Sequence, residues 1–263
     1  MKMSRTLSLL TLLALQVSTS AHAANKSSSA KLNSQSKGKP AAAATPATTP
    51  APVMVKTAEY AVKAEDSVFA IVTHKAGLAA KLAHNHLVVA RGYDAKLIAD
   101  PNQLNSGSFE FKAKVAEFEV DRPDLQKRWY PMVQSLGWLN EPFTNLKDSD
   151  REKIRENMLS EEQMDVEKYP TISAQILKIT DATSKVGERS YNKKASVAVT
   201  LHGKTVTRDF SANIKLQGDE LLVDAVTDFK FSEFSIVPYK ALLGALGNDD
   251  TFNMLVSLRA VRK

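Results

Sequence analysis

The 263-residue chain is 43% hydrophobic, with a formal net charge of +6 and a pI near 9.3. Seven of its 35 basic residues and none of its 29 acidic residues lie in residues 1–56, so residues 57–263 carry a net charge of −1. A folded nucleic-acid-binding surface needs clustered basic residues, so this balance argues against a nucleic-acid partner. The chain has no cysteine, so its stability must come from a buried core rather than from disulfides.

Residues 1–23 have the form of a secretory signal peptide. Two basic residues precede the apolar run Leu7–Val17, and Ala21-His22-Ala23 is a small-x-small cleavage site. The apolar run is shorter than the about 20 residues of a transmembrane helix. We therefore predict cleavage near Ala23, a periplasmic or secreted protein, and no transmembrane segment.

Residues 24–56 are built from Ala, Ser, Thr, Pro and Lys, with almost no large apolar side chain. Such a segment cannot bury enough surface to offset the entropy lost on ordering, so we predict a disordered tether. Residues 57–263 then form one globular domain, which is long enough for a well-buried core.

The domain is dominated by segments in which apolar and polar residues alternate, as in half-buried antiparallel strands. The clearest lie at 108–115, 195–201, 209–216 and 252–261, and further strands are predicted at Ser67–His74, His86–Ile98, Thr171–Thr180 and Leu221–Phe231. The short turns "LHGK" and "LQGDE" predict hairpins. About eight such strands favour an all-β fold, an antiparallel up-and-down barrel, with an open sandwich as the alternative.

The apolar phase of the strand that ends near Val115 slips by one residue. Ala116, Phe118 and Val120 take over from the odd-numbered positions. A β-bulge or a sharp bend at this point would restore a continuous inner face.

The segment Asp148–Met164 has a helical pattern. Asp148 or Ser149 could cap its start, and Ile154 and Met158 share one side with charges opposite. We expect a surface helix that covers one end of the barrel.

An aromatic segment, Arg128–Phe143, precedes this helix. Its aromatic residues are interspersed with two prolines and a glycine, so we interpret the segment as a loop. Two interpretations stay open: a core packed under the helix, or a lid over a cavity mouth. The lid residues would be Trp129, Tyr130, Trp138 and Phe143.

The inward faces of the predicted strands carry ten candidate ligand-contacting residues. These are Phe109, Phe111, Val197, Val199, Phe210, Ile214, Phe229, Phe231, Met254 and Val256. An ordinary packed core would use the same residues, and an eight-stranded barrel can be filled or can hold one small ligand.

Three histidines, His74, His84 and His86, fall near one predicted barrel end. If the two strands that carry them pair as a hairpin, the three imidazoles would gather and could bind Zn or Cu or donate hydrogen bonds to a ligand headgroup. They could equally be polar residues at the rim. His202 fits a hairpin turn, and we interpret it as structural.

The chain contains no G-x-S-x-G elbow, no phosphate-binding glycine-rich loop and no H-E-x-x-H helix. We therefore expect no enzymatic activity and no required cofactor. Whether two copies form a homodimer is left open by the sequence.

Several segments together resemble the YceI-like family. They are "HKAG" after an alternating strand, "MDVEKYPTISAQI", "VAVTLHGKTVTRDF" and "TDFKFSEFSI". The resemblance covers most of residues 57–263. It implies a lipocalin-like barrel, secreted or periplasmic, with an isoprenoid lipid or quinone along its apolar interior for transport or storage. A metal-binding module and a ligand-free structural or interaction domain are the alternative functions.

Overall fold

The computed structural model describes residues 56–263, so the predicted signal peptide and all of the predicted tether except Lys56 lie outside the described residues. The described part contains twelve strands and two α-helices. They are β1 (Ala58–Val62), β2 (Val68–Ala76), β3 (His86–Val89), β4 (Tyr93–Asp100), β5 (Gln103–Lys114), β6 (Glu119–Val120), α1 (Pro123–Ser135), α2 (Asp148–Leu159), β7 (Thr171–Val186), β8 (Arg189–Leu201), β9 (Lys204–Gln217), β10 (Glu220–Lys230), β11 (Lys240–Ala241) and β12 (Leu246–Arg262).

Eight of these strands form a closed antiparallel ring in the order β1, β4, β5, β7, β8, β9, β10 and β12. The ring closes where β1 pairs with β12, with Val62 opposite Ala260. This confirms the predicted antiparallel β-barrel. The closure pairs both edges of each ring strand, which removes the exposed sheet edges that an open sandwich would leave.

The long strand β12 shares one of its edges between two partners. Residues 260–262 pair with β1, whereas residues 247–257 pair with β2. From β2 the sheet continues through β3 to β6. The wall next to β12 is therefore made by β1 at one height and by the β2–β3–β6 group at the other.

The predicted strand His86–Ile98 is in fact two strands, and the prediction of a single strand is wrong. Gly92 adopts φ +54 between β3 and β4, a conformation that breaks an extended strand. β3 pairs with β2 and β6, while β4 pairs with β1 and β5. The two halves of this segment thus lie in different parts of the sheet: β4 belongs to the eight-stranded ring, and β3 belongs to the β2–β3–β6 group.

Both hairpin turns predicted from glycine positions are confirmed. His202 and Gly203 adopt φ +50 and +71 between β8 and β9, and Gly218 adopts φ +61 between β9 and β10. The predicted irregularity after β5 is a sharp bend, a 3-10 turn at Val115–Glu117. It ends the barrel strand and sends the chain toward β3.

The buried apolar residues form two clusters on opposite faces of the sheet. β2 contributes to both: Phe69 belongs to the inner cluster, whereas Val68, Ala70 and Val72 belong to the outer one. This is why β2 reads as a nearly continuous apolar run rather than as an alternating one.

Helix α1 covers the outer cluster, and its presence corrects the interpretation of this segment as a loop. Leu125, Trp129 and Val133 recur every four residues and are buried against β2, β3 and β12. Pro123 occupies the first turn, where proline is tolerated, while Pro131 lies inside the helix and obscured the pattern in the sequence.

Helix α2 confirms the predicted helix but ends at Leu159, five residues early. Its N-cap is Lys147 rather than Asp148 or Ser149, and the Asp148 carboxylate accepts a hydrogen bond from Arg151 within the first turn. Neither α-helix in residues 56–263 combines the length and apolar character needed to cross a bilayer.

Candidate functional site

An apolar cavity of about 120 Å³ lies inside the barrel. Its wall is built from residues of β2, β3, β4, β5, β7, β8, β9, β10 and β12, and among residues 56–263 Ser108 is the only polar residue in its lining. A cavity of about 150 Å³ with such a lining stays dry and admits a benzene-sized group. This cavity can therefore take part of an apolar ligand without disturbing the wall.

Eight of the ten residues predicted to face the ligand line this cavity. They are Phe109, Phe111, Val197, Val199, Phe210, Ile214, Met254 and Val256. The other two lie elsewhere: Phe231 lines a second cavity, and Phe229 is fully buried among other aromatic rings, including Phe234 and Phe252. The period-two pattern thus located the interior, although it could not tell cavity wall from filled core.

A second cavity, of about 140 Å³, lies where α2 covers the barrel. The α2 residues Ile154 and Met158 line it, which places the predicted apolar side of this helix over the barrel interior. Its lining is more polar than that of the first cavity, with side chains from Thr73, His86, Asn157, Gln163, Tyr239 and Asn248.

The two cavities are neighbours, because Ile71, Val88 and Phe118 line both. These three side chains form a partition between an apolar compartment and a partly polar one. Phe118 comes directly after the 3-10 turn that ends β5, so the predicted bend is what places its ring inside the barrel.

His86 is held in the second cavity by a buried hydrogen-bond network. Its Nδ1 lies 2.6 Å from Oδ2 of Asp121, a residue that is 1% exposed. The other carboxylate oxygen of Asp121 accepts hydrogen bonds from the Leu87 backbone N–H and from Nε2 of Gln126. Oδ2 of Asp121 is the acceptor in this contact, so Nδ1 of His86 donates to it and the contact orients the ring.

Thr73 is the cross-strand partner of His86 in the pairing of β2 with β3. Opposed residues in antiparallel strands lie on the same face, so both side chains point into the second cavity. Thr73 is 6% exposed and its hydroxyl oxygen has no hydrogen-bond partner within residues 56–263. A buried unpaired hydroxyl is unfavourable, and natural structures contain few of them.

The structure does not bring the three predicted histidines together. His74 is next to Thr73 in β2 and therefore points to the opposite face from His86, where its Nε2 donates to Oδ1 of Asn253 at 2.6 Å. His84 lies before β3 and its Nδ1 is 3.1 Å from Oγ1 of Thr144. Within residues 56–263 no three His, Cys, Asp or Glu side chains are grouped as a metal site requires.

His202 lies in the turn between β8 and β9, as interpreted from the sequence. Its Nδ1 donates to the carbonyl of Phe234 at 3.1 Å, and its ring packs on Tyr169 with centroids 4.4 Å apart.

The aromatic residues predicted as a lid lie on the outer face of the barrel. Trp129 is buried in the outer cluster, and Tyr130, Trp138 and Phe143 pack against that cluster. None of the four lines either cavity. The position corrects the lid interpretation: Trp129 and Tyr130 lie in α1, Trp138 and Phe143 follow it, and all four pack with the outer cluster rather than over a barrel mouth.

An ion-pair group lies beside the site at the junction of β3 and β6. Glu119 accepts hydrogen bonds from Arg91 at 2.9 Å and from Arg122 at 2.8 Å. Partial burial raises the pKa of Glu119, but the two arginines outweigh this effect and hold the pKa below its ordinary value. The group therefore favours the ionised carboxylate and ties the partition region to the start of α1.

The sequence analysis placed Phe118 on the inner face but did not identify it, Thr73 or Asp121 as site residues. Asp121 lies 35 positions from His86, so no local pattern joins them. Asp121 also adopts φ +50, and because Glu117, Glu119 and Asp124 lie close to it in the sequence, nothing there singles it out.

The fold and its cavities define an antiparallel β-barrel with an apolar interior and one partly polar compartment. The family model described as YceI-like domain matches residues 60–259. The chain therefore belongs to the YceI-like family.

Solved structures of other proteins are similar to the chain at low sequence identity. BcnA of Burkholderia cenocepacia is 15% identical with a TM-score of 0.53, and the match covers 76% of this chain and 99% of that one. A polyisoprenoid binding domain from Saccharophagus degradans is 10% identical with a TM-score of 0.44, covering 79% and 100%. A YCEI protein of Campylobacter jejuni is 12% identical with a TM-score of 0.44, covering 67% and 84%. No curated protein sequence matches the chain significantly.

Proposed function

We propose that the protein binds a long-chain amphiphile of the isoprenoid lipid or isoprenoid quinone type inside the barrel, for transport or storage. The observation that carries the proposal is the pair of adjoining cavities. An apolar compartment suits a hydrocarbon tail, and the compartment with Thr73 and His86 suits a polar end. Membership of the YceI-like family supports the isoprenoid class.

The sizes of the cavities set a condition on uptake. Volumes of about 120 and 140 Å³ each lie somewhat below the roughly 150 Å³ of a cavity that binds benzene, so neither cavity alone holds a long chain. A long isoprenoid must therefore occupy both compartments and displace Phe118 from the partition. Met254 lines the first cavity, and its flexible thioether side chain can adjust to a ligand of this kind.

Binding rather than catalysis is the activity we propose. His86 and Asp121 form an imidazole–carboxylate pair, but the hydroxyl of Thr73 makes no hydrogen bond to the ring. A nucleophile activated by a neighbouring base requires that hydrogen bond. The signal-like segment at residues 1–23 supports a periplasmic or secreted site of action, with the lipid-rich cell envelope as the source of the ligand.

Native mass spectrometry of the full chain, expressed with its N-terminal segment and purified from an envelope fraction, tests the proposal. We expect a mass increment corresponding to one isoprenoid molecule per protein. The Val199→Trp variant, which places an indole in the first cavity, should lose this increment while keeping its fold. A protein that carries a bound metal ion, or no adduct after incubation with isoprenoid lipids, would contradict the proposal.

A further inference from the structure

We infer that the second cavity recognises an uncharged headgroup that carries a hydroxyl, an isoprenoid alcohol or hydroquinone, and selects against a phosphate. The inference rests on the proposed function and adds the chemistry of the headgroup. It is carried by three features of the cavity: a fixed imidazole, an unpaired hydroxyl and the absence of charged side chains from the lining.

The fixed imidazole supplies one half of the recognition. Because Nδ1 of His86 donates to Asp121, Nε2 is the ring nitrogen left for a ligand in the cavity, and in the tautomer with its hydrogen on Nδ1 it is a hydrogen-bond acceptor. Nε2 makes no hydrogen bond within residues 56–263. A ligand group that donates a hydrogen bond can therefore occupy this position.

The unpaired hydroxyl of Thr73 supplies the other half. It is directed into the same cavity from the strand position opposite His86, and it can donate to a ligand oxygen. A hydroxyl is the simplest group that donates and accepts at once. It would donate to Nε2 of His86, accept from Oγ1 of Thr73, and satisfy a buried group that otherwise lacks a partner.

The charges around the cavity disfavour an anionic headgroup. Within the described part of the chain, residues 56–263, no Lys, Arg, Asp or Glu lines the second cavity. The buried Asp121 carboxylate lies directly behind His86 and would repel a phosphate. Arg155 on α2 is directed to the backbone carbonyl oxygens of Ala116 and Phe118 rather than into the cavity. A phosphate entering this site would lose its hydration without gaining a Lys or Arg partner.

Two ligands with the same tail test the inference: geranylgeraniol and geranylgeranyl phosphate, titrated into the protein by displacement of a fluorescent apolar probe. We expect the alcohol to bind at least tenfold more tightly. Equal or tighter binding of the phosphate would overturn the headgroup inference and leave the proposed function standing. If neither ligand binds, both fail.

Variants of Thr73 separate recognition from folding. Thr73→Val has nearly the same shape and removes an unpaired buried hydroxyl, so its melting temperature should be unchanged or raised. Its affinity for geranylgeraniol should fall about two- to tenfold, the range for one hydrogen bond, and Thr73→Ser should restore it. Binding of a C20 isoprenoid hydrocarbon without a hydroxyl should not change in either variant.

Histidine variants provide the matched control. His86→Gln should weaken binding of the alcohol, whereas His84→Gln, which alters a ring outside the cavity, should leave it unchanged. Alcohol affinity that is the same in Thr73→Val, His86→Gln and the parent would overturn the inference.

Discussion

The Val199→Trp variant distinguishes a hollow barrel from a filled one. Val199 is fully buried, lines the first cavity and lies on the inner face of β8. The cavity of about 120 Å³ approaches the roughly 150 Å³ that admits benzene, so it can take most of an added aromatic group. We expect destabilisation of at most about 1 kcal/mol, compared with the about 1–3 kcal/mol or more of overpacking a filled core.

Val226→Trp is the matched control. Val226 is 2% exposed, belongs to the outer cluster and lines neither cavity. The same substitution there should cost about 3 kcal/mol or more, because no space receives the ring. At about 2–4 °C per kcal/mol, the melting temperature should fall by at most about 4 °C in Val199→Trp and by about 6–12 °C in Val226→Trp.

The assay is thermal unfolding of both variants, followed by titration of geranylgeraniol. Val199→Trp should also bind this ligand at least tenfold more weakly than the parent, because the indole occupies the tail compartment. Equal losses of melting temperature in the two variants, or full binding by Val199→Trp, would refute the assignment of the first cavity as the tail site.

Three further predictions concern stability, each measured by urea unfolding. Asp121→Ala should destabilise the protein by more than about 2 kcal/mol because buried donors lose their acceptor. Asp121→Asn keeps an acceptor and tolerates positive φ, so it should destabilise the protein less. Equal destabilisation by the two variants would contradict the hydrogen-bond network assigned to Asp121. Gly187→Ala should cost at least about 1 kcal/mol more than Gly218→Ala: both residues have positive φ, but only at 187 would a Cβ lie 2.4 Å from the carbonyl carbon of Leu136. The pKa of Glu119 is lowered in the folded state, so the ionised carboxylate stabilises the fold at neutral pH, and this stabilisation is lost as pH falls through that pKa. Glu119→Gln should therefore lose less free energy of unfolding than the parent between about pH 6 and 3. The same pH dependence in both proteins would contradict this prediction.

The barrel interior could be predicted from the sequence because one local rule determines it. In β8 and β9, alternate residues such as Val197, Val199 and Phe210 face inward whatever their partners are. The same rule fails for β2, where both faces are buried and alternation disappears. A different pattern was missed in α1, because its prolines favoured the interpretation of a helical segment as a loop.

The polar compartment could not be predicted because long-range pairing assembles it. Knowing that Thr73 is opposite His86 requires the register of β2 on β3, and Asp121 reaches His86 only through the bend after β5. The expected gathering of three histidines ignored that neighbouring positions in a strand point to opposite faces. With that register, His74 and His86 cannot share a site.

The central claim is that an isoprenoid tail enters the barrel, and isotope-filtered nuclear Overhauser spectroscopy tests it most directly. Methyl-labelled protein would be mixed with unlabelled geranylgeraniol. We expect contacts from the tail to Val197, Val199 and Ile214, which line the first cavity, and none to Val72 or Val226 in the outer cluster. Contacts confined to the outer methyl groups, or no contacts at saturating ligand, would contradict it.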